Sequence, residues 1–309
     1  MNHAFTSFMG IKSQDGIGGG RAGSTDLRGL WPHSHPVGRC LRPDFPTKWK
    51  SAGKPDPTLR SFGGGVILAD GSVALLGGYN SMSGLFTSDL DYPNGVHTVE
   101  IYDSISATSG WRKSNEQLVH PRGYHSNSIL MKDGRVMICG GQIDNHAEWE
   151  KVNGWYVGEG GGRNLSIEIY TPDYLWRGPR PVFAHTPDNL NMGDNLLVRL
   201  ESDWTWDMID PNRVLLIKLC SATHSQSIDQ RCVGLRIDRK SDVEATLNIQ
   251  YLPNVQTSAG KTTQGQVLTP GYYYLFICSL AGTPSLGHIL KIGLPSLAIS
   301  VQINPNQGQ

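Results

Sequence analysis

The 309-residue sequence predicts an all-β protein in two parts, a repeated β-meander followed by a β-sandwich. Composition is the first reason: 37 glycines and 18 prolines supply turns throughout, and no long Ala/Leu/Glu/Lys stretch has helical spacing. The second is an internal repeat in the first half of the chain. The third is a change of texture beyond about residue 181, where the repeat gives way to short apolar strands separated by Pro/Gly turns. A chain of this length can build two domains, each with its own core.

The first copy of the repeat reads RSFGGGVILADGSVALLGG from Arg60 to Gly78, and the second reads RGYHSNSILMKDGRVMICGG from Arg122 to Gly141. Each predicts a tight hairpin. An apolar run meets an Asp-Gly turn (Asp70-Gly71, Asp133-Gly134), and a second apolar run ends at a Gly pair that should break the strand (Gly77-Gly78, Gly140-Gly141). A third strand follows, VEIYD at 99–103 and IEIYT at 167–171, with Trp111 and Trp176 beyond, so the period is 63 to 68 residues. Three or four strands per repeat, with a Gly pair and a later Trp, resemble the kelch blade of a β-propeller. Loops at 79–96 and 142–164 lengthen the period.

Beyond the repeat, strands are expected at 195–200, 213–219, 232–238, 244–251, 271–278 and 288–301, the spacing of an immunoglobulin-like sandwich. Residues 1–55 hold GIGGG, HSHP and several prolines without sustained periodicity, and read as irregular, with too few strands to supply further blades. The expected organisation is therefore 1–55 irregular, 56–180 two blades, 181–303 sandwich and 304–309 a polar tail.

Balanced charge, 27 basic against 27 acidic residues, leaves no field of one sign to attract nucleic acid, so nucleic-acid binding is not expected. No run of eighteen apolar residues is present, so no membrane span is expected, and the first thirty residues lack the apolar core of a secretory signal. Localisation is left open. Five cysteines, Cys40, Cys139, Cys220, Cys232 and Cys278, are too scattered for a disulfide scaffold. Cys220 and Cys232 bracket one short segment; they either bridge across neighbouring strands or stay as two buried thiols.

Candidate chemistry centres on three residues. Tyr124 and His125 stand together at a strand start, where neighbours point to opposite faces unless a turn or bulge re-aims one. The first copy has Phe62 and Gly63 at those positions, so the repeat itself requires neither a phenol nor an imidazole. His224 lies in CSATHSQSIDQR, expected as a Ser/Thr-rich loop between sandwich strands, and Asp229, Gln230 and Arg231 are expected to anchor that loop through polar contacts. A phenol with two imidazoles suits copper(II), which takes nitrogen and oxygen ligands in a tetragonal arrangement.

The strings RGYHSNSILMKDGRV, IEIYTPDYLWRGPRP, ATHSQSIDQR and TPGYYYLFICSLAGTPS occur here in the order they take in the copper radical oxidases of the galactose oxidase and glyoxal oxidase type, over roughly residues 58–293. The resemblance implies a propeller followed by an early-set, immunoglobulin-like sandwich, one copper ion held by Tyr124, His125 and His224, and oxidation of an alcohol or aldehyde by O2 to give hydrogen peroxide. It also implies secretion, a small alcohol, aldehyde or carbohydrate as ligand, and seven blades where this chain offers strands for two. A second chain supplying further blades is one partner that follows.

The family's remaining ligand is a second Tyr, covalently joined to a Cys upstream of the Tyr-His motif. No such pair is recognisable here: Tyr79, Tyr92 and Tyr102 fall outside the blade strings, and Cys40 sits in unrelated surroundings. Copper(II)/copper(I) stores one oxidising equivalent and the chemistry needs two, so the expectation is a chain that binds copper without turning over. The alternatives are a noncatalytic β module for carbohydrate or protein, and an incomplete gene product.

Other motifs read as ordinary structure. Gly18-Gly19-Gly20-Arg21-Ala22-Gly23 matches GxGxxG without a preceding strand or following helix. His33 and His35 with Cys40 could hold a metal but lie among prolines. Gly158 to Gly162 lacks the Lys-Ser/Thr of a phosphate loop, and Asn164-Leu165-Ser166 is a single glycosylation sequon. Tyr272, Tyr273 and Tyr274 are expected as sheet and core formers.

Overall fold

The computed structural model describes residues 63–78, 96–103, 110–120, 122–142, 166–223, 226–248 and 268–294, together with five short strands. Of these, Ala4–Phe5 (β1) pairs with 232–233, and Arg39–Cys40 (β2) pairs with Lys50–Ser51 (β3). The motifs at 18–23, 33–35, 158–162 and 164 lie outside the described residues. Among the described residues, all regular structure is β apart from two short 3-10 turns, Asp173–Trp176 and Trp206–Met208. Among the described residues, no helix is long and apolar enough to cross a membrane.

The first repeat folds as a four-stranded antiparallel meander, Gly64–Ile67 (β4), Val73–Leu76 (β5), Thr98–Asp103 (β6) and Gly110–Gln117 (β7). The second gives three strands, Tyr124–Leu130 (β8), Val136–Gln142 (β9) and Ile167–Tyr170 (β10). Both Asp-Gly sites turn the chain, but less tightly than expected. Leu68 N–H reaches Ser72 O at 2.8 Å and Met131 N–H reaches Arg135 O at 2.8 Å. Three residues thus lie between the closing pair, and only the glycine, Gly71 (φ 82) or Gly134 (φ 85), takes the left-handed conformation.

The Gly pairs differ from expectation in the second copy. β5 stops before Gly77, but β9 runs through Gly140 and Gly141 to Gln142, which pairs with Tyr124. Gly77 has φ +64, and a Cβ there would lie 2.3 Å from the carbonyl oxygen of Arg122, so the two sheets meet at a point with no room for a side chain.

The remaining strands are Phe183–His185 (β11), Asn189–Asn191 (β12), Asn195–Leu200 (β13), Ile209–Lys218 (β14), Ser221–Thr223 (β15), Gln226–Ile228 (β16), Cys232–Gly234 (β17), Arg236–Arg239 (β18), Glu244–Asn248 (β19), Val255–Gln256 (β20), Thr262–Thr263 (β21), Gly271–Ser279 (β22) and His288–Gly293 (β23); all but the separate two-stranded pairs β15-β16 and β20-β21 build a sandwich. One sheet runs β1-β17-β14-β22-β23-β12 and the other β11-β13-β19-β18. They close on a core that includes Leu196, Val198, Trp206, Leu216, Leu247, Leu275 and Leu290.

Several expected strands needed redrawing. The strand placed at 213–219 starts at Ile209, because a register irregularity between Ile209 and Val214 absorbs Pro211, which has no N–H to donate. The strand placed at 232–238 is two, one in each sheet, with the crossing at buried Leu235. The third departure is the segment around His224, expected as a loop, which is flanked by the paired strands β15 and β16.

β14 and β22 are buried on both faces, which is why they read as continuous apolar runs. Val214, Leu216, Tyr273, Leu275 and Ile277 enter the sandwich core. Leu215, Ile217 and Phe276, on the other face, join a second core with Val66, Val73, Ile101, Val136 and Ile138 of the meanders. The six-stranded sheet is thus a shared middle layer. Cys220 and Cys232 are free thiols, as are Cys139 and Cys278.

Candidate metal centre

The strand carrying Tyr124 and His125 is positioned from just upstream. Arg122 is 1% exposed, and its guanidinium donates to Glu168 Oε1 from Nε (2.9 Å) and Nη2 (2.7 Å), to Gly140 O (2.9 Å), to Ser166 O (3.0 Å) and to Ser166 Oγ (2.9 Å). A buried charge so fully bonded holds its segment in one place. Glu168 also accepts the N–H groups of Val119 (2.6 Å) and His120 (3.2 Å), which leads the chain from β7 into β8. The Arg122–Glu168 pair was not foreseen, although the repeat carries the signal: Arg60 and Glu100 hold the matching positions of the first copy.

Immediately after Arg122, Ser126 N–H donates to Gly123 O at 3.0 Å, closing a four-residue turn whose central residues are Tyr124 and His125. This is a backbone bend at the position where the Tyr-His pair needs one. The side chains of both residues lie outside the described set, as does the whole of His224.

The hairpin flanking His224 docks on the meanders at several points. β15 and β16 pair through Ser221–Ile228, Ala222–Ser227 and Thr223–Gln226. Both strands lie beside β8, and β16 also lies beside β4. Ser227 Oγ donates to Ser128 O in β8. Gln230 clamps the open edge of β4: its Oε1 accepts Ile67 N–H at 2.8 Å and its Nε2 donates to Gly65 O at 2.7 Å. That Nε2 also donates to Ser227 O at 2.9 Å, tying the clamp to the hairpin.

Asp229 completes the base of the hairpin with φ 59, the one positive φ of a non-glycine residue among the described residues. Lys218 Nζ donates to its carboxylate and to Thr269 Oγ1 (3.0 Å), and Arg231 Nε lies 3.5 Å from Asp229 Oδ1. Partial burial works against the charged carboxylate, but the hydrogen bond and charge of Lys218, joined by Arg231, hold its pKa below the usual range. The expectation that Asp229, Gln230 and Arg231 anchor this segment matches these contacts.

Nearby groups have structural partners. Burial pushes the Cys232 thiol up to about 12 and raises Cys220 as well. Tyr174, also raised by burial, donates to Gly134 O and accepts Ala69 N–H at 3.3 Å, stitching the two hairpin turns together. Tyr102 packs its ring 5.3 Å from Trp111, and Tyr273 donates to Thr269 O at 2.7 Å. No group of three or more His, Cys, Asp or Glu able to hold a metal occurs among the described residues.

Comparison with known proteins agrees with this architecture. Residues 180–292 match the family model described as the galactose oxidase-like, early set domain. A galactose oxidase of Gibberella zeae is 27% identical over 239 residues, covering 75% of this chain and 29% of its own length. An aldehyde oxidase of Arabidopsis thaliana is 29% identical over 177 residues, 56% of this chain and 26% of its own length. The chain thus spans under a third of these curated relatives. A solved fungal alcohol oxidase in complex with copper superposes with a TM-score of 0.59 at 23% identity, over 80% of this chain and 45% of its own, a likeness of fold. The chain is a relative of the galactose oxidases and glyoxal oxidases, and its residues 180–292 are a galactose oxidase-like early set domain.

Proposed function

We propose that this chain is a copper-binding derivative of the copper radical oxidases, holding one ion through Tyr124, His125 and His224. The observation that carries the reading is the docking of the hairpin flanking His224 beside the strand that opens on Tyr124 and His125. One phenol and two imidazoles form a donor set suited to copper(II). In this reading residues 56–180 are two kelch-like propeller blades and 181–303 the sandwich that sends its hairpin across to them, with 1–55 and 304–309 flanking.

Bound copper would supply a one-electron couple. The chain's own residues supply position: Arg122 and Glu168 fix the start of β8, while Gln230, Ser227 and Asp229 fix the hairpin. Oxidation of an alcohol or aldehyde by O2 needs a second oxidising equivalent, which in this family a Tyr-Cys radical provides, and no such pair is recognisable in the 309 residues. The chain as it stands is therefore expected to bind copper without peroxide production.

The test is copper titration of the purified chain, followed by paramagnetic resonance, beside His125→Ala and His224→Ala. One equivalent bound by the parent and lost in both variants supports the reading; no specific copper in the parent sinks it. Peroxide formed from simple aldehydes or galactose after copper loading would overturn the inactive part. The unrecognised Tyr-Cys pair also favours a second reading, a noncatalytic β module binding carbohydrate or protein, which glycan binding by a copper-free chain would support.

A further inference from the structure

The hairpin that flanks His224 lies against both repeats, and Gln230 is its link to the first. β4 is the end strand of its sheet, and Gly65 C=O and Ile67 N–H, two residues apart, face outward from it as they would toward a neighbouring strand. The Gln230 amide fills that place, with Oε1 accepting Ile67 N–H at 2.8 Å and Nε2 donating to Gly65 O at 2.7 Å. The second N–H of Nε2 goes to Ser227 O at 2.9 Å. Both donors of the amide are then used, and its orientation is forced: turned over, it would set Oε1 against two carbonyls.

Ser227 is the junction. Its carbonyl receives Gln230 Nε2, and its Oγ donates to Ser128 O in β8, the strand that opens on Tyr124 and His125. In sequence it is three residues from His224. One residue close to a candidate ligand thus carries the hold of β4 and the hold of β8 at once. Among the described residues β15 and β16 pair only with each other, so side-chain bonds of this kind, and not a strand ladder, set their place on the meanders. The first repeat has Phe62 and Gly63 where the second has Tyr124 and His125, and offers no ligand at those positions. What it gives the hairpin is a fixed edge.

We infer that Gln230 is a positioning residue of the copper site, acting through Ser227 to fix the hairpin that carries His224 and so bringing the first repeat into the coordination geometry. The inference rests on the copper reading above. Ligands drawn from two parts of a fold keep one geometry only if those parts are held to within about 0.5 Å. Copper(II), with its tetragonal preference, reports such a displacement in its spectrum and in its affinity.

The experiment is copper titration of the full chain with paramagnetic resonance spectra, beside Gln230→Met, which keeps the length of the side chain without its amide. The expected result is a copper dissociation constant raised more than about tenfold, equivalent to about 1.4 kcal/mol, and a changed copper hyperfine splitting in a variant that keeps the parent's circular dichroism. Leu247→Ala, which thins the sandwich core, should lower the thermal midpoint and leave both copper readings at the parent values. If Gln230→Met does not fold, Gln230→Glu decides, since it keeps the acceptor for Ile67 and loses both donors. Parent values in the Gln230 variant overturn the inference and leave the copper reading standing, and so does an equal change in Leu247→Ala. A parent chain without specific copper overturns both.

Discussion

Gln230 uses both ends of one side-chain amide on the backbone of a strand 163 residues away in sequence, taking the place of a neighbouring strand at the free edge of β4. Gln230→Ala leaves Ile67 N–H and Gly65 C=O without that partner, so urea unfolding should report a loss of about 1–3 kcal/mol. Gln230→Glu keeps the acceptor for Ile67 but sets a carboxylate oxygen against the Gly65 carbonyl, and should not restore stability. Asp229 gives a pH signature. Its pKa in the folded chain is depressed, so its contribution is present above the ordinary carboxylate range near 4 and is lost as pH falls through the folded value. Amide exchange in 226–234 should quicken in acid relative to the sandwich core, and Asp229→Asn should flatten that dependence. Equal acid sensitivity in the variant would remove Asp229 from the account.

At the scale of elements, the contact between the meanders turns on Gly77. Its φ of +64 and a virtual Cβ 2.3 Å from Arg122 O mean that any side chain is both strained and obstructed by backbone. The strain alone costs about 1–3 kcal/mol, and Gly77→Ala should lose at least that in chemical unfolding. Gly110, with nothing within 4 Å of its virtual Cβ, is the control: Gly110→Ala should change stability by no more than about 0.5 kcal/mol. Equal effects at the two sites would show that the close approach at Gly77 does not hold the sheets together.

The whole molecule is joined by its shared middle sheet and by Arg213. This side chain, 11% exposed, reaches out of β14 to the first meander, donating to Asp70 O and to Asp103 Oδ2 at 2.6 Å, with Asp70 Oδ2 at 3.5 Å. Burial works against its charge, but Asp70 and Asp103 more than offset it and raise its pKa. Arg213→Met takes the cation away from three acidic neighbours, Asp70, Asp103 and Asp210, and removing one member of a buried pair costs about 3–5 kcal/mol. Limited proteolysis should then cut within 63–78 before the sandwich core. Uniform resistance along the variant would mean that apolar burial alone joins the layers.

The sequence by itself determined the β class, the two-part organisation and the hairpins, because these follow from local signals: alternating apolar residues, Asp-Gly and Pro-Gly pairs, and a repeat that copies Arg and Glu as well as strands. It also singled out Asp229, Gln230 and Arg231 as anchors. It did not show that β14 and β22 serve two cores, that 232–238 changes sheet at Leu235, or that Pro211 sits in a strand irregularity, since each depends on a layer supplied by distant residues. The partner of Gln230 was equally hidden, being a backbone edge that exists only once β4 is placed. Tertiary structure alone decided that the hairpin around His224 lies beside the strand of Tyr124 and His125, because an alignment of two segments about a hundred residues apart is written in packing and not in local pattern.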